Sequence, residues 1–145
     1  MELIIREALP CDYLAIHSLI TNELGYEQID FEKLCVRLNI MRMESNYSTI
    51  VAEFENDIVG FIGMSRGLAY NVDGEYIQIS ALAVRNDMQN IGIGSQLLKW
   101  IEDYAIRNDI KSLILTSRFH RTNAHSFYEH MGYTKKSYAF IKDLS

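Results

Sequence analysis

Residues 89 to 94 read Gln-Asn-Ile-Gly-Ile-Gly, a run of types suited to holding phosphate. The apolar stretch Tyr76 to Val84 precedes them and an amphipathic stretch, Ser95 to Ile106, follows, which predicts a strand turning through glycines into a helix. The first N–H groups of a helix have no intrahelical partner, and the helix dipole adds partial positive charge beside them. Gly92 and Gly94 would let an anion approach that backbone without meeting a Cβ. The same Gly-x-Gly also serves as a plain tight turn. Two other phosphate patterns do not match. A P-loop needs Gly-Lys-Ser/Thr, where this chain has Gly94-Ser95-Gln96. A dinucleotide fingerprint needs a third glycine where Leu97 stands, and it opens a first strand–helix unit, whereas this turn lies in the second half of the chain. A second cluster, residues 118 to 133, reads Arg-Phe-His-Arg-Thr-Asn-Ala-His-Ser-Phe-Tyr-Glu-His-Met-Gly-Tyr. Phe127 reads as core. Tyr128 can carry chemistry, because a phenol of ordinary pKa ~10 can protonate a departing thiolate whose thiol has a pKa of ~8.5.

The elements that must position these residues can be read from periodicity. Leu3 to Ala8 suits a strand, and Pro10 the first turn of a helix in which Tyr13, Ile16, Leu19, Ile20 and Leu24 recur before Gly25 stops it. Asp30 is placed to cap a second helix, with Phe31, Leu34, Cys35, Leu38 and Met41 inward. Ser48–Phe54 and Ile58–Ser65 are β-rich around the turn Glu55-Asn56-Asp57. Gly67–Gly74 is a loop and Glu75–Val84 a strand. Leu113–Thr116 is a short strand, and Thr122 or Asn123 caps a helix with Ala124, Phe127, Tyr128 and Met131 along one stripe and Gly132 at its end. Tyr133–Ile141 reads as one or two closing strands. The order β-α-α-β-β-β-α-β-α-β(-β) predicts a single α+β domain over residues 1–145, with a central mixed, mostly antiparallel sheet flanked by helices.

Length and composition narrow the function classes. The chain has 145 residues, enough for one domain with a real core. No apolar run approaches the roughly 20 residues of a membrane span, and the N-terminus lacks a signal-peptide pattern, so a cytoplasmic protein is expected. Cys11 and Cys35 lack metal-ligand spacing and read as small core residues. His120, His125 and His130 stand five apart, which is not a helical ligand pair, so no metal is expected. A net charge of −5 argues against a dedicated nucleic-acid binder. It is compatible with a cationic substrate.

Together the two motifs resemble the GNAT family of acetyl-CoA-dependent N-acetyltransferases, over most of the chain and in element order. The family's Gln/Arg-x-x-Gly-x-Gly/Ala is complete here as Gln89-Asn90-Ile91-Gly92-Ile93-Gly94. Its Asn-Ala-x-x-Phe-Tyr-x-x-x-Gly-Tyr/Phe is complete from Asn123 to Tyr133. The resemblance implies acetyl-CoA as co-substrate and an amine acceptor. Backbone N–H groups from Gln89 through Asn90, Ile91, Gly92, Ile93 and Gly94 to Ser95 would hold the diphosphate, with a hydroxyl added by Ser95. Backbone groups of Leu82, Ala83 and Val84 would pair with the pantetheine arm where the strand splays, often at a β-bulge, and Asn123 would contact the arm. Tyr128 would sit near the sulfur as general acid for direct acyl transfer. The Val84 N–H could serve the carbonyl oxygen. Many members carry Arg or Lys where Asn90 stands; Arg85, Lys99 or Arg121 could compensate.

Where some members place a glutamate base, this chain has Gln78, which cannot take a proton. Glu75 begins the same strand and is the candidate base, although alternation puts 75 and 78 on opposite faces unless a bulge intervenes. Water relays, or an acceptor of lowered pKa, would need no dedicated base. The acceptor site is expected around Glu23, Tyr26, Glu27, Tyr70 and Asp73, with Gln78 beside them; acidic and aromatic groups suit a cationic amine. A small-molecule amine is the preferred acceptor and a peptide or protein amine the alternative. A non-catalytic acyl-CoA sensor or regulatory module is the competing class. The closing strands, with Tyr133, Tyr138 and Phe140, could pair across a homodimer or equally form an ordinary sheet edge.

Overall fold

The computed structural model of the chain describes residues 2–118 and 121–145. Its elements are β1 (Leu3–Glu7), α1 (Tyr13–Asn22), α2 (Phe31–Met43), β2 (Tyr47–Phe54), β3 (Asp57–Leu68), β4 (Glu75–Val84), α3 (Ile93–Arg107), β5 (Leu113–Leu115) and α4 (Thr122–His130). They fall into two compact units, Met1–Ile114 and Leu115–Ser145. The sheet runs β1-β2-β3-β4-β5, and its first four strands are successive antiparallel neighbours. β4 reaches β5 through the α3 crossover, the connection that parallel neighbours require, so the sheet is mixed as expected.

Local chemistry explains most of the element ends. Pro10 opens a short 3-10 turn that runs into α1. The α1 carbonyls of Leu19 and Ile20 are taken up by Glu23, Leu24 and Tyr26 N–H groups around Gly25, whose φ is +80°. Asp30 caps α2 by accepting from the Lys33 N–H at 2.9 Å. Glu55 and Asn56 take φ of 52° and 67°, the paired positive angles of a two-residue hairpin turn, and Phe54 pairs with Asp57 across it.

The first unit has three layers. Val51, Phe61 and Ala83 on one sheet face pack with Tyr13, Ile16, Leu19, Leu34 and Leu38 of α1 and α2. Alternation turns Ile50, Ile62, Met64, Ile77 and Ile79 to the other face, and all are buried. There α3 buries Ile93, Leu97, Leu98, Ile101 and Ala105. Arg6 ties β1 to the α1 entry and to β2: it reaches Asp12 at 2.8 and 3.0 Å and Glu53 at 2.8 Å. Burial would raise the Asp12 pKa, but the Arg6 hydrogen bonds and the Leu9 N–H outweigh it and hold the carboxyl below its ordinary range.

One expected element differs. Residues 133–145 form no strand, and Tyr138, Phe140 and Ile141 are largely exposed. Strand propensity measures fit to a pleated, half-buried surface, and residues 134–145 are all exposed, so composition alone does not make them a strand.

Candidate active site

The turn after β4 is built around two left-handed residues. Asn90 has φ +66° and Gly92 +93°. Asparagine tolerates that region better than a long cationic side chain does, which gives a backbone reason for Asn90 where a charge was expected. Gly92 caps α3 without any side-chain cap, and the first intrahelical bond runs from Gln96 N–H to the Gly92 carbonyl at 3.1 Å. The N–H groups of Ile93, Gly94 and Ser95 therefore precede the helix ladder. A Cβ on Gly92 would meet no protein atom within 4 Å, so open space lies beside this backbone. These residues fit a diphosphate held by main-chain donors. The helix begins at Ile93, two residues before the predicted Ser95, because Ile93 is buried, 3% exposed, while Ile91 stays 64% exposed. Gly60 on β3, which sequence reasoning missed, makes that burial feasible. A Cβ there would sit 3.0 Å from the Ala83 carbonyl and 3.3 Å from Leu97. An isolated glycine within a strand is the signal that marks such a close approach.

β4 carries a bulge. Gly63 pairs with Ala81 and Met64 with Ile79, which leaves Ser80 as the extra residue. Beyond it, the Arg85 N–H donates to the Val59 carbonyl at 2.7 Å. Antiparallel alternation then turns the Ala83 backbone groups to β3 and those of Leu82 and Val84 to the other edge. β5 contributes three strand residues against ten in β4, and its neighbourhood is marked by the Ile77 N–H to Ser112 carbonyl bond near the start of β4. Of the three residues expected to meet an extended arm, Leu82 and Val84 face that edge and Ala83 does not. The Val84 carbonyl already accepts from Gln89 Nε2 at 3.0 Å.

Two of the three candidate compensating charges, Arg85 and Lys99, are engaged. Arg85 pairs with Asp87 at 2.7 Å and approaches Asp57 at 4.0 Å, and Lys99 pairs with Asp103 at 3.7 Å. Gln89 points back into its own turn. Its Nε2 also lies 3.5 Å from Glu23, whose other carboxylate oxygen accepts from the Asn86 N–H at 3.2 Å. Glu23, expected at the acceptor loop, thus reaches the turn after β4.

Glu75 and Gln78 lie on opposite sheet faces, because the bulge at Ser80 does not fall between them. Glu75 shares the α3 face with Arg66. Arg66 holds it through two bonds of 2.6 and 3.0 Å and donates to the Tyr104 hydroxyl at 2.7 Å. The Arg66 hydrogen bonds hold the Glu75 carboxyl below its ordinary pKa. A lower pKa makes the carboxylate a weaker base. Gln78 is half-buried and pairs with Ser65 across the ladder. Tyr26 is 44% exposed, and Tyr70, Glu27 and Asp73 are exposed. His17 on α1 stands 2.7 Å through Nε2 from the Ile29 carbonyl and edge-on to Phe31, so it fixes the connection between α1 and α2.

In the second unit Thr122 and Asn123 lie inside α4 rather than capping it, and Arg121 takes the cap position. Asn123 is exposed. The Tyr128 ring packs near Phe127 and Tyr133, at 5.6 and 6.3 Å between centroids. Burial pushes its phenol above the ordinary pKa, and the charge of Arg121 pulls it down more weakly. His125 Nε2 sits 2.8 Å from the Arg118 carbonyl; His120 lies outside the described residues.

Known proteins resemble the chain along its length. Residues 8–133 match the acetyltransferase (GNAT) family profile. An aminoalkylphosphonate N-acetyltransferase of Salmonella typhimurium strain LT2 is 26% identical over 140 residues, 97% of this chain and 90% of that protein. Among solved structures, a GNAT family acetyltransferase of Staphylococcus aureus is 25% identical with a TM-score of 0.80, covering 99% of this chain and all (100%) of that one. A transcriptional regulator from Bacillus halodurans C-125 shares the fold with a TM-score of 0.89 at 24% identity, covering 99% and 100% of the two chains.

Proposed function

Because the chain belongs to the acetyltransferase (GNAT) family, we propose that its 145 residues form one N-acetyltransferase domain that moves an acetyl group from acetyl-CoA to a primary amine of a small molecule. The observation that carries this reading is the turn at 89–95. Its helix start is uncapped, it opens to space at Gly92, and it carries the complete Gln-x-x-Gly-x-Gly pattern. Acetyl-CoA supplies an activated acyl group as a thioester. Main-chain donors of Ile93, Gly94 and Ser95 bind the diphosphate. Leu82 and Val84 orient the arm at the β4 edge, and the Val84 N–H faces the acyl oxygen, where charge builds. Tyr128 keeps its proton at neutral pH and delivers it to the leaving sulfur. Asn123 holds the arm. Much of the rate comes from presenting amine and acyl carbon to one another.

Glu75 plays no part in deprotonating the amine. It sits on the α3 face, bound to Arg66, and water relays to bulk solvent serve instead. Glu75→Gln should leave kcat within about twofold, whereas loss of a true general base would cost about 100-fold or more. A pH–rate profile of the variant checks this: disappearance of its acidic limb would restore Glu75 as base.

The test of the reading as a whole is a calorimetric titration with acetyl-CoA beside acetylpantetheine, which lacks the diphosphate, followed by thiol release across an amine panel. Micromolar affinity for acetyl-CoA alone, with turnover on a small amine, supports it. Binding without turnover on any amine, peptides included, would favour an acyl-CoA sensor; no binding at all would remove the cofactor assignment.

A further inference from the structure

Glu23 is the C-terminal cap residue of α1, and its carboxylate leaves the helix toward the turn after β4. One oxygen accepts from the Asn86 N–H at 3.2 Å, and the other lies 3.5 Å from Gln89 Nε2. The same nitrogen donates to the Val84 carbonyl at 3.0 Å. These contacts join the end of α1, the turn and the last residue of β4, across 63 positions of sequence between Glu23 and Asn86. Directly after Glu23 the chain enters the connection to α2. His17 holds the far end of that connection at the Ile29 carbonyl, 2.7 Å away, and the Asp30 cap follows. The connection is therefore pinned at both ends, and one pin is the candidate cofactor turn.

We propose that Glu23 is a positioning residue that sets this turn for acetyl-CoA. It steadies Asn86 directly and Gln89 through its side chain, so that the Val84 carbonyl is occupied from within while the Val84 N–H stays open at the strand edge. The proposal rests on the reading of residues 89–95 as the acetyl-CoA cradle. A cradle made of backbone donors binds well only if its backbone is already in the bound shape, since ordering it on binding subtracts from affinity. A carboxylate accepting from a backbone N–H makes a charge-assisted bond, stronger than a neutral one. A carboxylate would repel a diphosphate if it faced one, so its contribution is to the shape of the turn and not to contact with the anion. Glutamine at this position keeps an acceptor for the Asn86 N–H and removes the charge.

The experiment compares the full chain with Glu23→Ala and Glu23→Gln by amide hydrogen exchange at Asn86 and by calorimetric titration with acetyl-CoA, with Tm measured alongside. Glu23→Ala should exchange at Asn86 about fivefold faster and bind acetyl-CoA about fivefold more weakly, the usual scale of one lost hydrogen bond, with Tm close to that of the unchanged chain. Glu23→Gln should restore both quantities to within about twofold. Unchanged exchange and affinity in Glu23→Ala would overturn the proposal, as would a Glu23→Gln variant as impaired as alanine. If the unchanged chain fails to bind acetyl-CoA, the cradle reading falls; the exchange rates then decide separately whether Glu23 holds the turn.

Discussion

Tyr128→Phe lowers the rate of acyl transfer by about 100-fold, the low end of what a positioned general acid contributes, and leaves acetyl-CoA affinity within about twofold. The substitution removes only the hydroxyl. The ring contacts with Phe127 and Tyr133 remain, and so does the bond from the Tyr133 N–H to the Tyr128 carbonyl at 3.0 Å, so the second unit keeps its local packing. Burial raises the phenol's pKa, which keeps it protonated across the neutral range and moves the alkaline limb of the pH–rate profile above ~10, the ordinary tyrosine value. The variant should lose that limb together with its rate. Single-turnover measurement is the proper readout, because slow product release would otherwise hide a change in the chemical step. An unchanged single-turnover rate would end the general-acid assignment and leave the fold and the cradle untouched.

Features written in a few adjacent residues were legible in the sequence. Asp30 caps α2, Gly25 and Gly132 stand past helix ends with positive φ, and the Glu55-Asn56 turn closes its hairpin where composition placed it. Each depends on a backbone angle or a local acceptor that one residue type supplies. Features that depend on distant pairing were not legible. Alternation alone gave two outcomes for Glu75 and Gln78, and only the register of β3 against β4 puts the bulge at Ser80 and the two side chains on opposite faces. Nothing near Glu75 in sequence announces Arg66, nine residues away on the neighbouring strand, as the partner that holds its carboxylate. Glu23 follows α1 in sequence, yet its contacts lie with Asn86 and Gln89 on another element. The closing stretch fails for the converse reason, since its composition satisfied a local rule without the half-buried surface that gives the rule its force.

Gly92→Ala weakens acetyl-CoA binding by about 100-fold, equivalent to losing two charge-assisted main-chain bonds to the diphosphate. Two effects must be separated in that number. At φ +93° an alanine is strained wherever the site is, at roughly 1–2 kcal/mol. The second effect belongs to the cradle: the new Cβ meets no protein atom within 4 Å, so the space it enters is the space the anion would use. Gly74 supplies the matched control. Its φ is +89°, a Cβ there also meets nothing within 4 Å, and it lies in the loop before β4 rather than in the turn after it. Gly74→Ala should therefore lose about as much stability as Gly92→Ala while holding acetyl-CoA affinity within about twofold. Thermal melts of both variants measure the shared strain, and calorimetric titration measures the difference. Equal affinity in the two would mean that backbone strain is all the glycine relieves, and the diphosphate would have to be sought away from the start of α3. A loss confined to Gly92→Ala ties it to main-chain donors that Arg85 and Lys99, already paired with Asp87 and Asp103, do not replace.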